Sequence, residues 1–271
     1  MFPTLFVSHG APTFALQPGQ AGPALTAFAA ALPRPRAVLA VSPHWMTSGP
    51  EVSTAAMPAT IYDFGGFPDE LYTLSYRATG APELARQVAA LLAEQGVAVR
   101  ENPGRGLDHG AWVPLIYLYP AADVPVFQLS LPRLASPRDY YMLGRLLAPL
   151  AGEDVLVMAS GSITHNLQDA FAAMGGRKPE GAAYAREFMD WMGDRLAEGD
   201  LEALLDYRRR APHAKRAHPT DEHLMPLFVA LGAAGEGAAV SRLAGGIDLS
   251  VLGMDSYAFA ALPISDHSSG Q

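Results

Sequence analysis

Five short apolar runs punctuate the chain, at residues 4–8, 37–42, 97–100, 124–130 and 154–160, and helical patterns fill the intervals. The runs are rich in Val, Leu and Phe and alternate only weakly, as strands covered on both faces do. Residues 82–95 put Leu84, Val88, Leu91 and Leu92 on one helical face, with Pro82 at the start and Gly96 at the end. Residues 137–150 and 180–205 read the same way, with Pro137 and Gly181 near their starts. Strand-then-helix alternation predicts an α/β fold with a central, mostly parallel or mixed sheet and helices on both faces. A chain of 271 residues, 49% hydrophobic, can fill one large α/β domain or two small ones. No internal repeat or long linker divides it, so one domain over 1–271 is expected. Segments 46–80 and 206–222 are richer in Pro, Gly, Tyr and charge and read as long loops, of the kind that carry function or act as lids. The tail DHSSGQ is expected to fray.

Composition removes several function classes. The formal net charge is −8, which repels phosphate backbones and argues against nucleic acid as a partner. No basic cluster suits an anionic membrane surface, and no run reaches the ~18 apolar residues of a membrane span. The start, MFPTLFVSHG, lacks the basic region and long apolar stretch of a signal peptide. With no cysteine, disulfides and thiolate metal ligands are excluded, and a cytoplasmic location is the expectation.

The histidines carry the chemistry. TLFVSHG (4–10), VLAVSPHW (38–45) and VLVMASGSITHN (155–166) are apolar runs that end in His9, His44 and His165. Ligands of open α/β sheets bind beyond the carboxyl ends of the strands. One histidine at such a place is ordinarily packed or solvent-facing. Three at equivalent places, in a chain without cysteine, point to a histidine-built site on one rim. His223, in HPTDEHLMPLF, is a fourth candidate. Thr220 or Asp221 can cap a helix with Asp221, Glu222 and His223 in its first turn, and Pro226 requires that helix to begin near Glu222. The competing readings are a surface histidine beside a cap, and Glu222 as the ligand in the same turn. His109, in GLDHGAWVPL, reads as a loop entering a buried helix, either as a site residue or as a core histidine. Asp108 beside it orients an imidazole or serves as an N-cap. His213, His218 and His267 sit in polar, charged or terminal settings and read as solvated.

Three imidazoles with open positions suit zinc, iron(II) or copper(II), not magnesium or calcium. There is no HExxH helix, GxSxG elbow, P-loop or strand-following GxGxxG, and the SGS at 160–162 lacks the elbow pattern of a serine nucleophile.

Six segments in register, FVSHGAP (6–12), SPHW (42–45), YDFGGFP (62–68), LDHGAWVPL (107–115), SGSITHNL (160–167) and HPTDEHLMPLF (218–228), give the chain its likeness over nearly its whole length. It resembles the class III extradiol ring-cleavage dioxygenase superfamily, in particular the DOPA 4,5-dioxygenase branch. The resemblance implies a single catalytic domain over 1–271 that opens a small, DOPA-like catechol with O2 to a ring-opened semialdehyde. It implies His9, His44 and His223 as metal ligands, His165 as the acid/base close to the metal, and His109 behind them facing substrate or dioxygen. Glu222 is the alternative third ligand, since many relatives in the wider superfamily use two histidines and a glutamate. The implied metal is Fe(2+) for activity, with Zn(2+) able to occupy the site in purified protein. Three neutral imidazoles on iron(II) leave room for both catechol oxygens and dioxygen, and a histidine near pKa 6.5 can both take and return a proton. Tyr62, Phe64 and Phe67 are the expected aromatic walls, with Gly65 and Gly66 as a hinge, while Trp45 reads as core packing. The partners are then a small catechol and O2, with no nucleic acid or membrane, in a monomer or small homo-oligomer. Two other classes fit the same histidines. One is a zinc hydrolase with Asp63 or Glu222 as base; the other is a non-catalytic binding or signalling relative, which the presence of all five histidines argues against.

Overall fold

A computed structural model describes residues 1–133, 136–177 and 182–260. The strands are β1 (Thr4–Ser8), β2 (Ala37–Thr47), β3 (Glu51–Ser53), β4 (Arg100–Asn102), β5 (Val126–Pro132), β6 (Val155–Gly161), β7 (Ala239–Leu243), β8 (Ile247–Asp248), β9 (Leu252–Gly253) and β10 (Ser256–Ala260). Eight of them form one mixed sheet in the order β4-β3-β5-β2-β6-β1-β10-β7, and β8 and β9 form a separate small ribbon. The centre is parallel: β5 pairs with β2, β2 with β6, and β6 with β1. These are the Val- and Leu-rich runs, and β1, β5 and β6 are buried along their whole length. Antiparallel pairs enter only outside that centre, at β3 on β5, β10 on β1 and β7 on β10.

The longer helices are α1 (Ala21–Ala30), α2 (Pro82–Glu94), α3 (His109–Leu118), α4 (Pro137–Leu147), α5 (Leu167–Met174), α6 (Ala183–Glu198) and α7 (Met225–Ala234). They cover the sheet on both faces. One layer sets α7 against β6 and β1 with α4 beside it, and another sets α3 against β2 and β6 with α1 beside it. Both α3 and α7 are apolar nearly all round and buried, as helices wedged between sheet and outer layer must be.

Several sequence expectations shift. The strand expected at 97–100 lies at Arg100–Asn102, on the sheet edge, where half-exposed residues leave little apolar pattern to read. Within the 46–80 segment, β2 runs on to Thr47 and the three residues of β3 join the sheet. The 206–222 segment holds two short helical turns, Tyr207–Arg210 and Ala214–Ala217, instead of open loop. The helix expected over 180–205 is interrupted: α6 stops at Gly199, which adopts a φ of 68° that few other residues tolerate, and a second short helix covers Leu201–Leu205. The helix expected over 137–150 ends at Leu147 and passes into a 3-10 turn, Ala148–Glu153. Gly181 and the tail DHSSGQ lie outside the described residues. Among those described, no helix is long and apolar enough to cross a membrane.

Candidate active site

Each site histidine is placed by the end of an element. His9 follows β1 directly, and its backbone N–H extends the parallel ladder by bonding the Gly161 carbonyl at 2.9 Å. His44 sits in a bulge. The β2–β5 register shifts between Ser42 and Met46, so Pro43, His44 and Trp45 arch out of the ladder. Bulges re-aim side chains at sheet rims, and this one sends Trp45 into the core and leaves His44 beside His9. His109 is the first residue of α3, capped by Asp108, whose side chain accepts the Ala111 N–H. Helix and bulge meet closely here: a Cβ on Gly110 would stand 2.9 Å from His44 Cδ2. His223 hangs from β6 by its backbone, its carbonyl accepting the Ser162 N–H at 2.8 Å. A side chain at Gly161 would collide with that carbonyl.

The rings converge. Centroids of His9, His44 and His223 are 5.1 to 5.3 Å apart, pair by pair. Each offers one nitrogen to a set lying within 4.8 Å. In all three, Nδ1 is engaged by an oxygen: Ser160 Oγ at 2.9 Å for His9, Asp63 Oδ2 at 3.2 Å for His44, and Glu222 Oε1 at 3.1 Å for His223. Nε2 is therefore the free nitrogen, and those of His9 and His44 lie 3.2 Å apart. Oxygen partners of this kind fix the ring and tautomer of metal-binding imidazoles. The neighbouring groupings His44/Asp63/His109 and His165/Glu222/His223 are also tight enough to hold an ion.

His165 lies flat on His223, with centroids 3.5 Å apart and planes 9° from parallel. His109 is 4.0 Å from His44 by centroid, and both its backbone N–H and its Nδ1 meet Asp63 Oδ1. Asp63 thus bridges His44 and His109.

Burial favours the neutral ring at His9, His44, His165 and His223. Desolvation, then the neighbouring imidazoles, hold His9 and His223 well below the ordinary histidine range. Desolvation and His109 bring His44 down to about 4, although Asp108 and Asp63 pull it upward. His165 falls to about 4, mainly through desolvation and against the opposing charge of Glu222. Burial acts to raise the Asp63 carboxyl, but the hydrogen bonds and charge of His109 outweigh it and bring the group to about 2. Neutral imidazoles and a charged carboxylate behind them are the donor state a divalent transition metal needs.

The five histidines and Asp63 form the inner end of a cavity of about 260 Å³, at the small end of ligand cavities (about 300–1,000 Å³). Phe64 and Phe67 line it, as the sequence suggests, but Tyr62 does not. Its hydroxyl donates to the Leu74 carbonyl and its ring packs on Phe64 and Trp112. Another cavity, of about 280 Å³ between Pro18–Ala21 and Gly245–Asp248, has no histidine in its wall.

Two further expectations change. His218 is not solvated: it is fully buried, with Nε2 on the Ile163 carbonyl at 2.8 Å. His213 is partly exposed beside Glu187, and His267 lies outside the described residues. Helix α7 starts at Met225, with Leu224 as an N-cap lacking a side-chain bond, so neither Thr220 nor Asp221 caps it and His223 precedes its first turn. Pro226 still falls in the first turn, as its missing N–H demands. Neither serine of SGS is a nucleophile facing substrate, since Ser160 is buried behind His9 and Ser162 donates to the Thr164 carbonyl. Missed altogether was the outer wall on α5, where Leu167, Phe171 and Met174 line the cavity. Their spacing by four and three residues marks one helical face, but nothing in the sequence says that this face borders the site.

Residues 4–250 match the family described as the catalytic LigB subunit of aromatic ring-opening dioxygenase. The chain is 40% identical over 262 residues to a 4,5-DOPA dioxygenase extradiol of Beta vulgaris, covering 95% of this chain and 96% of that one. It is 36% identical over 236 residues to the protein of the same name from Escherichia coli K12, covering 85% and 84%. A crystal structure of an uncharacterized Escherichia coli K12 protein shares the fold, with a TM-score of 0.75 at 29% identity over 95% of this chain and 99% of that one. With its histidines gathered at the carboxyl rim of a largely parallel sheet, the chain belongs to the LigB family and is an extradiol ring-cleaving dioxygenase, an enzyme for a small aromatic substrate and O2.

Proposed function

We propose that the protein, as one catalytic domain, opens the ring of a single-ring catechol in a reaction that depends on iron(II) held by His9, His44 and His223. DOPA is the member of that substrate class that the relatives' names carry. The observation behind the ligand choice is the arrangement of nitrogens: three Nδ1 atoms tied to oxygens, with the free nitrogens turned on one point. Glu222 is the weaker ligand candidate because its Oε1 holds His223 on the Nδ1 side of the ring, away from the free nitrogen offered to the three-histidine set. Iron(II), when bound, would supply open coordination positions and the one-electron chemistry that brings catechol and dioxygen together. Zinc fits the same nitrogens and binds them more tightly, so aerobic purification is expected to yield a zinc form without ring-opening activity.

The protein's own part is protonic and steric. His165, neutral at pH 7, can take a proton from a catechol hydroxyl at a ring nitrogen and return it when the ring opens. Its stacking on His223 holds it beside the ligand set. Asp63 locks His44 and His109 in orientation through its two oxygens. The same engagement disfavours Asp63 as the base of the zinc-hydrolase alternative, because a base for metal-bound water needs a free carboxylate oxygen. Phe64 and Phe67 flank the ring and limit water.

The test is anaerobic loading with Fe(II), followed by oxygen uptake with catechol, DOPA, caffeate and protocatechuate. The expected result is a yellow ring-opened product with one O2 consumed per substrate. No product from any catechol, together with zinc-dependent ester hydrolysis, would reverse the assignment.

A further inference from the structure

The mechanism uses only the inner end of the cavity. The outer end has a different chemistry. Leu167, Phe171 and Met174 project from one face of α5 into the cavity wall, joined by Leu252 from the β9 ribbon. Leu167, Phe171 and Met174 are also 51%, 57% and 43% exposed, so an apolar strip stands in water at the mouth. Large exposed apolar side chains beside a concave site mark a surface that something covers. Polar side chains occur only at the inner end, as the histidines and Asp63, and no Lys or Arg lines the cavity among the described residues. The one charge in the wall is thus negative.

Resting on the catechol chemistry proposed above, we infer that this strip receives the ring substituent of the substrate and selects an apolar one, an alkyl or aryl group, over a carboxylate. The catechol oxygens must reach the inner histidines, and a substituent on the far side of the ring then points to the mouth and meets Phe171 and Met174. An apolar group there covers exposed carbon on both partners, which favours binding by up to about fourfold per methylene. A carboxylate of the same length loses water against Phe and Leu and gains no cationic partner among the described residues that line the cavity.

The test has a binding arm and a turnover arm. In the binding arm, zinc-loaded protein is titrated calorimetrically with unsubstituted catechol, with methyl-, ethyl- and propylcatechol substituted away from the diol, and with dihydrocaffeate, the carboxylate matching the propyl chain. In the turnover arm, kcat/KM is measured for the same series with the iron-loaded enzyme. The expected result is affinity that climbs with chain length, with propylcatechol at least about tenfold ahead of dihydrocaffeate in both arms. Phe171→Lys should collapse or invert that ratio, and Phe171→Ser should flatten the chain-length series. Dihydrocaffeate binding as tightly as propylcatechol, or no dependence on chain length, would overturn the inference while leaving catechol cleavage intact. If no catechol is bound or cleaved, unsubstituted catechol included, the parent reading fails and this one with it.

Discussion

At the inner end of the cavity the imidazoles are tied to strand ends, a bulge or a helix start, and His9, His44, His109 and His223 each have a ring nitrogen held by an oxygen. At the outer end, Leu167, Phe171 and Met174 stand half in water on the eight-residue helix α5. The inner end is fixed because directional bonds hold His9, His44, His109 and His223, and stacking on His223 holds His165. The outer end is held by non-directional contacts that many side chains could replace. Reaction and specificity are thus separated along one cavity: exchanges at the inner end should change whether the enzyme works, and exchanges at the outer end should change only what it works on.

The largest effect is expected from His44→Ala. Removing one of three nitrogen ligands should abolish stoichiometric metal binding, read by metal analysis after dialysis, and with it all oxygen uptake. Next is His165→Ala, which should keep most of its iron and still bind catechol yet lose turnover by roughly 10²–10⁴-fold; complete metal loss would make His165 a ligand. Asp63→Asn keeps the shape but weakens the hold on His44 and His109, and about 10–100-fold in metal affinity or kcat is expected.

Acid should reveal the same asymmetry in stability. A histidine titrates near 6.5 in the unfolded chain. Folded values are about 4 for His44 and His165 and about 3 for His218, in each case mainly through burial. Between those limits the unfolded state binds more protons, so stability falls as pH drops from 6.5 towards 3–4 and is unaffected by these groups above 6.5. For each such histidine the metal-free protein should lose roughly 1–2 kcal/mol between pH 6.5 and 5, about a 15-fold change in the folded ratio. Urea midpoints of the parent and of His218→Phe across that range check this, with a shallower slope expected for the variant. The smallest effect is Phe171→Ala, which should raise KM for an apolar catechol by about three- to tenfold and leave kcat, metal content and the acid slope alone. A kcat loss as large as that of Asp63→Asn would break the division between the two ends.

The inner end was also the more legible of the two. His9 and His165 could be placed from apolar runs because a parallel strand delivers whatever follows it to one rim, and His44 followed the same logic although a bulge sets its aim. His223 is less transparent. It reaches the site through the bond from Ser162 N–H to its carbonyl, across 61 residues of chain, and not from the first turn of a helix. His218 misled for a similar reason. Its neighbours HAKRA and PT are polar, yet its partner is the distant Ile163 carbonyl, which local composition does not report. In the sheet, the Val-rich parallel centre announced itself, whereas three-residue β3 and the antiparallel β7 and β10 have too little pattern and depend on tertiary pairing. The wall on α5 escaped because an apolar helical face ordinarily means core, and here it faces a cavity and water.

The ligand set at the inner end can be tested most directly by anomalous diffraction at the iron edge from crystals of the anaerobically loaded protein. A single peak bounded by nitrogens of His9, His44 and His223, lost in His44→Ala crystals, is the result expected. A peak among His44, Asp63 and His109, or one bounded by Glu222 together with His165, would contradict the three-histidine centre.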